Sequence, residues 1–176
     1  GLSEMGAATI RRAAAVHPIV DLKIEYSLIS RGPEAEILPV LNELGIGMTA
    51  YGVLSRGLLS GSLPKGPADF RAHLPRFRGE NLERNLQLVE ALGSIARARG
   101  VSSSQLAIAW VLARGPQIVP VIGARTRAQL DEVLGALALQ LTGEEMAQIE
   151  AAVPAGAVAG ERYDAHQMRA LDSERG

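Results

Sequence analysis

The order of the periodic segments constrains this chain most. Short runs rich in β-branched residues alternate with longer stretches whose apolar residues recur every three to four positions, up to about residue 152. No run pairs with a neighbour through a short hairpin turn. Strands that alternate with helices in this way predict right-handed βαβ units around a parallel sheet, an α/β fold.

In order along the chain, residues 1–4 read as the tail of a strand, and starting there suggests a fragment. Residues 7–16 predict a helix with Ile10, Ala13 and Ala14 on one face, ended by His17-Pro18. Residues 19–26 predict a buried strand, with Val20, Leu22, Ile24 and Tyr26 at period two. Gly32-Pro33 opens the next helix, Glu34 and Glu36 complement its dipole, and Gly45 closes it in a left-handed cap. Residues 47–51 form a second strand. The stretch 52–79 has glycines, prolines, scattered charge and no steady period, and reads as one long functional loop.

Beyond the loop, residues 80–99 predict a long amphipathic helix. Ser102 and Gln105 make a capping box for a helix that ends at Gly115-Pro116. Residues 118–122 are the third full strand. Thr126 with Gln129, and Thr142 with Glu145, read as two further capping boxes. Trp110 and Met146 fall on apolar helix faces and read as core. Residues 1–153 thus form one α/β unit, and 154–176 a tail that is mobile or draped over the surface. Three full strands and a stub leave two open edges, so the sheet is expected to continue in a part not present here.

Composition excludes several functions. There is no cysteine, and His17, His73 and His166 lack metal-ligand spacing, which removes disulfide, thiolate and zinc chemistry. A net charge of −1 and a pI near 6.4 give no basis for a nucleic-acid or membrane-surface partner. No apolar run is long enough to span a bilayer, and no leader is recognisable, so a soluble, cytoplasmic protein is the default expectation.

The stretch 118–132 concentrates the chemistry: a β-branched strand, the turn at Gly123, then a helix start flanked by Arg125 and Arg127. A helix N-terminus carries unpaired N–H groups and the positive end of a dipole, and favours anions. Arginine at such a place is unfavourable unless an anion offsets it, whereas a plain solvated helix start is the alternative. Guanidinium geometry suits phosphate, so a nucleotide phosphate is the expected occupant. Tyr51, at a strand end, reads either as core or as a flat platform for a ring. The small residues that follow let backbone approach an anion, or merely serve turns.

These residues also carry a family resemblance. Glu25-Tyr26-Ser27-Leu28-Ile29-Ser30-Arg31, then residues 50–61 from Ala50-Tyr51-Gly52 to Ser60-Gly61, then 118–132, resemble in order the C-terminal half of an aldo-keto reductase. Residues 1–4 fit that family's fifth barrel strand, and 76–81 fit its long loop. The resemblance implies an eight-stranded (β/α)8 TIM barrel, of which this chain carries the end of strand five through helix eight. It implies NADP(H)-dependent hydride transfer to or from a small aldehyde or ketone, with the active site at the C-terminal strand ends.

The resemblance assigns cofactor-binding roles residue by residue. Tyr51 stacks on the nicotinamide; Gly52, Leu54 and Arg56 wrap the pyrophosphate; Gly123, Ala124, Arg125 and Gln129 hold the adenosine 2′-phosphate; Glu132 meets the adenine. Ser3 grips the carboxamide with a partner on the next strand. That partner is a glutamine in the family and Lys23 here, and lysine only donates. The family's serine and proline are Gly52 and Val53, and its asparagine after Glu132 is Val133. The catalytic aspartate, tyrosine, lysine and histidine come from earlier strands, so no catalytic residue is assigned in this chain, which alone is expected to be inactive. The expected partners are the carbonyl substrate and either the missing N-terminal half of the barrel or another copy of the chain. The other reading is a non-catalytic nucleotide-binding or regulatory half-barrel.

Overall fold

A computed structural model describes residues 1–174. Four parallel strands, β1 (Leu2–Ser3), β2 (Asp21–Glu25), β3 (Gly47–Tyr51) and β4 (Ile118–Pro120), lie in the order β1-β2-β3-β4. The register places Ser3, Lys23, Thr49 and Val119 in one row across the sheet, and Glu25 opposite Tyr51. Because strand side chains alternate between faces, Leu22, Ile24, Met48, Ala50 and Ile118 enter the core while that row faces the other way. On the second face Ser3, Lys23 and Val119 are exposed. The sheet therefore has one covered face and one open one, with β1 and β4 as bare edges.

Strands are shorter than their apolar runs suggest. β2 starts at Asp21, so Val20 lies outside it and is exposed. β4 ends at Pro120, although the Val121 N–H still donates to the Ala50 carbonyl at 2.8 Å.

The helices are α1 (Ala7–Val16), α2 (Ile37–Leu44), α3 (Gly79–Ala98), α4 (Ser103–Ala113), α5 (Arg127–Leu134), α6 (Gly143–Ala152) and α7 (Ala165–Ala170). α1 buries Ile10, and α2 closes on Gly45 at φ 65°, the left-handed cap expected of glycine. The helix expected from Gly32 is broken: a 3-10 turn spans Gly32–Glu34, and α2 begins only at Ile37. Glu34 serves no dipole but accepts from the Tyr26 hydroxyl at 2.7 Å and from Arg31 at 2.8 Å. The boxes at Ser102/Gln105 and Thr142/Glu145 form in full. The one at Thr126 is half a box, because the Gln129 side chain accepts from the Arg125 N–H at 2.8 Å instead.

The 52–79 stretch is a chain of 3-10 turns at Ser55–Ser60, Phe70–His73 and Pro75–Phe77. The tail is draped and anchored. It contains α7, a 3-10 turn at Asp172–Glu174, and Arg162, which is 5% exposed.

α4 is the central helix, with Leu106 to Val111 all buried. Trp110 is fully buried between Tyr26, 5.6 Å away, and the guanidiniums of Arg31 and Arg114 at 5.1 and 5.3 Å; its N–H donates to Glu150 at 3.2 Å. Trp110→Ala should cost about 3–5 kcal/mol, as for other large core truncations, read as a lower urea midpoint.

Candidate functional site: a cleft at the C-terminal strand ends

A cleft of about 850 Å³ opens beyond the C-terminal ends of β3 and β4. It is lined by Tyr51, Gly52, Leu54, Arg56, Gly123, Arg125, Gln129 and Glu132, eight residues singled out in the sequence, and also by Asp69, Arg71 and Ser104. Its size falls within the range of small-molecule sites.

The loop leaving β3 turns through four left-handed residues. Gly52 (φ 67°), Ser55 (46°), Arg56 (55°) and Gly57 (93°) bend the backbone around one end of the cleft. Two of these are not glycine, a strained conformation of the kind that clusters at ligand sites. Gly52 has a second constraint, since a Cβ there would lie 3.0 Å from the Glu25 side chain. Arg56 lines the cleft, but its charge is shared with Glu25 at 3.2 Å, and it lies over the Tyr163 ring at 4.5 Å.

Tyr51 is held by its hydroxyl. The phenol donates to Glu4 Oε1 at 2.7 Å, and Arg162 reaches both, lying 2.5 Å from Glu4 Oε2 and 3.3 Å from the phenol oxygen. Ser173 donates to Glu4 Oε2 at 2.7 Å, and the Glu25 N–H to Oε1 at 2.9 Å. Burial works to raise the Glu4 carboxyl, but the hydrogen bonds from Arg162, Tyr51 and Ser173 outweigh it and hold its pKa at about 2. Tyr51 moves the opposite way: burial, then Tyr163 and Glu4, raise its phenol above the ordinary value. A tyrosine acting as proton donor needs its pKa lowered. Tyr51 is thus built as a neutral, fixed ring.

Ser3 and Lys23 do not line the cleft. They sit side by side on β1 and β2, and the Lys23 ammonium lies over the Tyr51 ring, 5.8 Å from its centre. At the far end, Gln129 fixes the Arg125 backbone, and Glu132 accepts from the Ser102 hydroxyl at 2.7 Å, which joins α5 to the cap of α4. Among the described residues no carboxylate pairs with the Arg125 guanidinium, which stands exposed at the cleft wall.

Arg162 and Asp69-Arg71 escape a reading of the sequence. The Arg162–Glu4 contact spans 158 residues, and no local pattern announces it. The Asp69–Arg71 pair, at 2.8 Å, sits in a stretch without periodicity, although an acid two residues before an arginine inside a loop is a signal for a local turn.

The Aldo/keto reductase family model matches residues 1–154. This chain belongs to the aldo-keto reductase family. It is 43% identical over 168 residues to "Probable aldo-keto reductase 1" of Glycine max, a match that covers 93% of this chain and 48% of the relative. Among solved structures, it resembles the glycerol dehydrogenase AKR11B4 from Gluconobacter oxydans with a TM-score of 0.79 and 29% identity, over 86% of this chain and 47% of that one. The thermostable aldo-keto reductase Tm1743, solved with the inhibitor epalrestat, shares the fold at a TM-score of 0.63 and 24% identity, with the same shares of both chains covered. The chain spans about half the length of the relatives it matches.

In this aldo-keto reductase chain, Arg162→Met leaves the Glu4 carboxylate buried without its cation, and should destabilise by about 3–5 kcal/mol. Glu4→Gln combined with Arg162→Met should cost less than the sum of the two, measured by a double-mutant cycle in urea. Because the pKa of Glu4 is depressed to about 2, its contribution is present above the unfolded value of about 4.3 and is lost as pH falls toward 2. Glu4→Gln should flatten stability across that window.

Proposed function

We propose that this chain is the cofactor-binding half of an NADP(H)-dependent oxidoreductase that interconverts a small aldehyde or ketone with its alcohol. The observation that carries this reading is one cleft with a fixed aromatic ring at one end and, at the other, an arginine unpaired among the described residues. When bound, the nicotinamide cofactor supplies or accepts the hydride.

The residues fit such a group. The Tyr51 ring offers a flat platform for the nicotinamide, its hydroxyl turned to Glu4. The strained loop at Gly52, Leu54 and Arg56 brings backbone to the pyrophosphate. Arg125, Gln129 and Glu132 serve the adenosine end, with Arg125 available to a 2′-phosphate because no carboxylate among the described residues pairs with it.

The proton-transfer groups lie outside this reading of the chain. The open sheet face and two bare edges support a closed barrel completed by further strands, from the rest of the polypeptide or a second copy. An aspartate, tyrosine, lysine and histidine on those strands would hold and move the proton at the carbonyl oxygen. One solved relative is named for glycerol, which is in keeping with a small substrate.

Arg125→Ala should weaken NADPH binding by the full natural polypeptide roughly 10- to 100-fold, the worth of a charged phosphate contact, and NADH binding less than about threefold. Titration with both cofactors decides: equal weakening removes the 2′-phosphate assignment.

A further inference from the structure

Around Tyr51, Glu4, Glu25 and Glu174 pair with the guanidiniums of Arg56, Arg76 and Arg162 in one cluster. Lys23 stands outside it. Its ammonium lies 5.8 Å from the Tyr51 ring centre, and no carboxylate pairs with it among the described residues. The acids on the same face of β2 are Asp21, whose Oδ1 accepts from the Thr49 hydroxyl at 2.9 Å, and Glu25, which is held by Arg56, Arg76 and Arg162. Lys23 is therefore a positive charge beside the aromatic platform, without a carboxylate partner among the described residues.

We propose that Lys23 sets the redox preference of the nicotinamide held against Tyr51, favouring the reduced ring over the oxidised one. The inference rests on the dinucleotide reading of the cleft. The oxidised ring is a cation; gaining a hydride, two electrons with one proton, makes it neutral. Riboses, phosphates and adenine are the same in both forms, so the difference in their affinities reports the field at the ring alone. Stacked rings have centres about 4.5–7 Å apart. A ring on Tyr51 thus has its centre no more than about 13 Å from the Lys23 ammonium. Like charges about 7–13 Å apart, in a dielectric between that of water and that of a protein surface, disfavour the oxidised form by roughly 2- to 50-fold.

Lys23 is exposed on its strand, so replacing it leaves the core intact.

The test is the ratio of dissociation constants for NADP+ and NADPH, measured by calorimetry on the full natural polypeptide. Lys23→Gln and Lys23→Met should each lower the ratio of the oxidised to the reduced constant by roughly 2- to 50-fold, and Lys23→Arg should preserve it. Thermal melts of the three variants check that the fold is kept. An unchanged ratio, or equal weakening of both forms, overturns this inference while the dinucleotide site stands. Failure of the unaltered protein to bind either form overturns both.

Discussion

The buried pair of Glu4 and Arg162 is the contact on which the site depends. It joins the residue after β1 to the tail, and so closes the described chain almost end to end. Removing two charges from water is costly, and only good geometry with further hydrogen bonds offsets it. Both conditions are met: Glu4 accepts from Arg162, Tyr51, Ser173 and a backbone N–H, and Arg162 also reaches Glu25 and Glu174. Glu4 adopts a left-handed backbone, φ 55°, to aim its side chain there. A second tie, from the Gly6 N–H to Asp172 at 2.9 Å, pins the same tail to the start of α1. The orientation of Tyr51 is therefore set by the tail as much as by its own strand.

The sheet imposes the second constraint. Its open-face row is Ser3, Lys23, Thr49 and Val119, mostly polar. The outward row is apolar and already buried beneath helices. Apolar surface is also exposed near β4, at Val119, Val121, Leu130 and Leu134. A sheet with these two faces is satisfied on one side only, and a partner that covered the open face would need polar groups opposite Lys23 and apolar ones opposite β4.

How much of this was legible follows from range. Helices α1, α3, α4 and α6 were readable because apolar period and capping residues are local, and the box at Ser102 is formed by residues three apart. Eight candidate residues meet in one cleft because each follows the end of β3 or β4, and adjacent parallel strands bring their C-terminal ends together. The break before α2 was hidden because Glu34 is claimed by Tyr26 and Arg31 rather than by a helix dipole. Gln129 was misread for a similar reason: its amide serves the residue before the cap. Arg162 was beyond reach, since nothing near it in the chain indicates a partner 158 residues away.

The distribution of charge along the cleft departs from a uniformly basic groove. Arg56, in the middle, is neutralised by Glu25, and Arg71 by Asp69. Arg125 at one end and Lys23 beside the other have no such partner among the described residues. A groove neutral in its middle gives a bound pyrophosphate little net Coulomb attraction there, leaving backbone donors of the strained loop as the main contact. The unpaired charges then act on the two ends of an extended ligand separately. On the dinucleotide proposal, Arg125 would act on the adenosine end and Lys23 on the ring. Among the described residues, one unpaired cation on the cleft wall and another beside its other end would favour ligands with matching termini over anions in general.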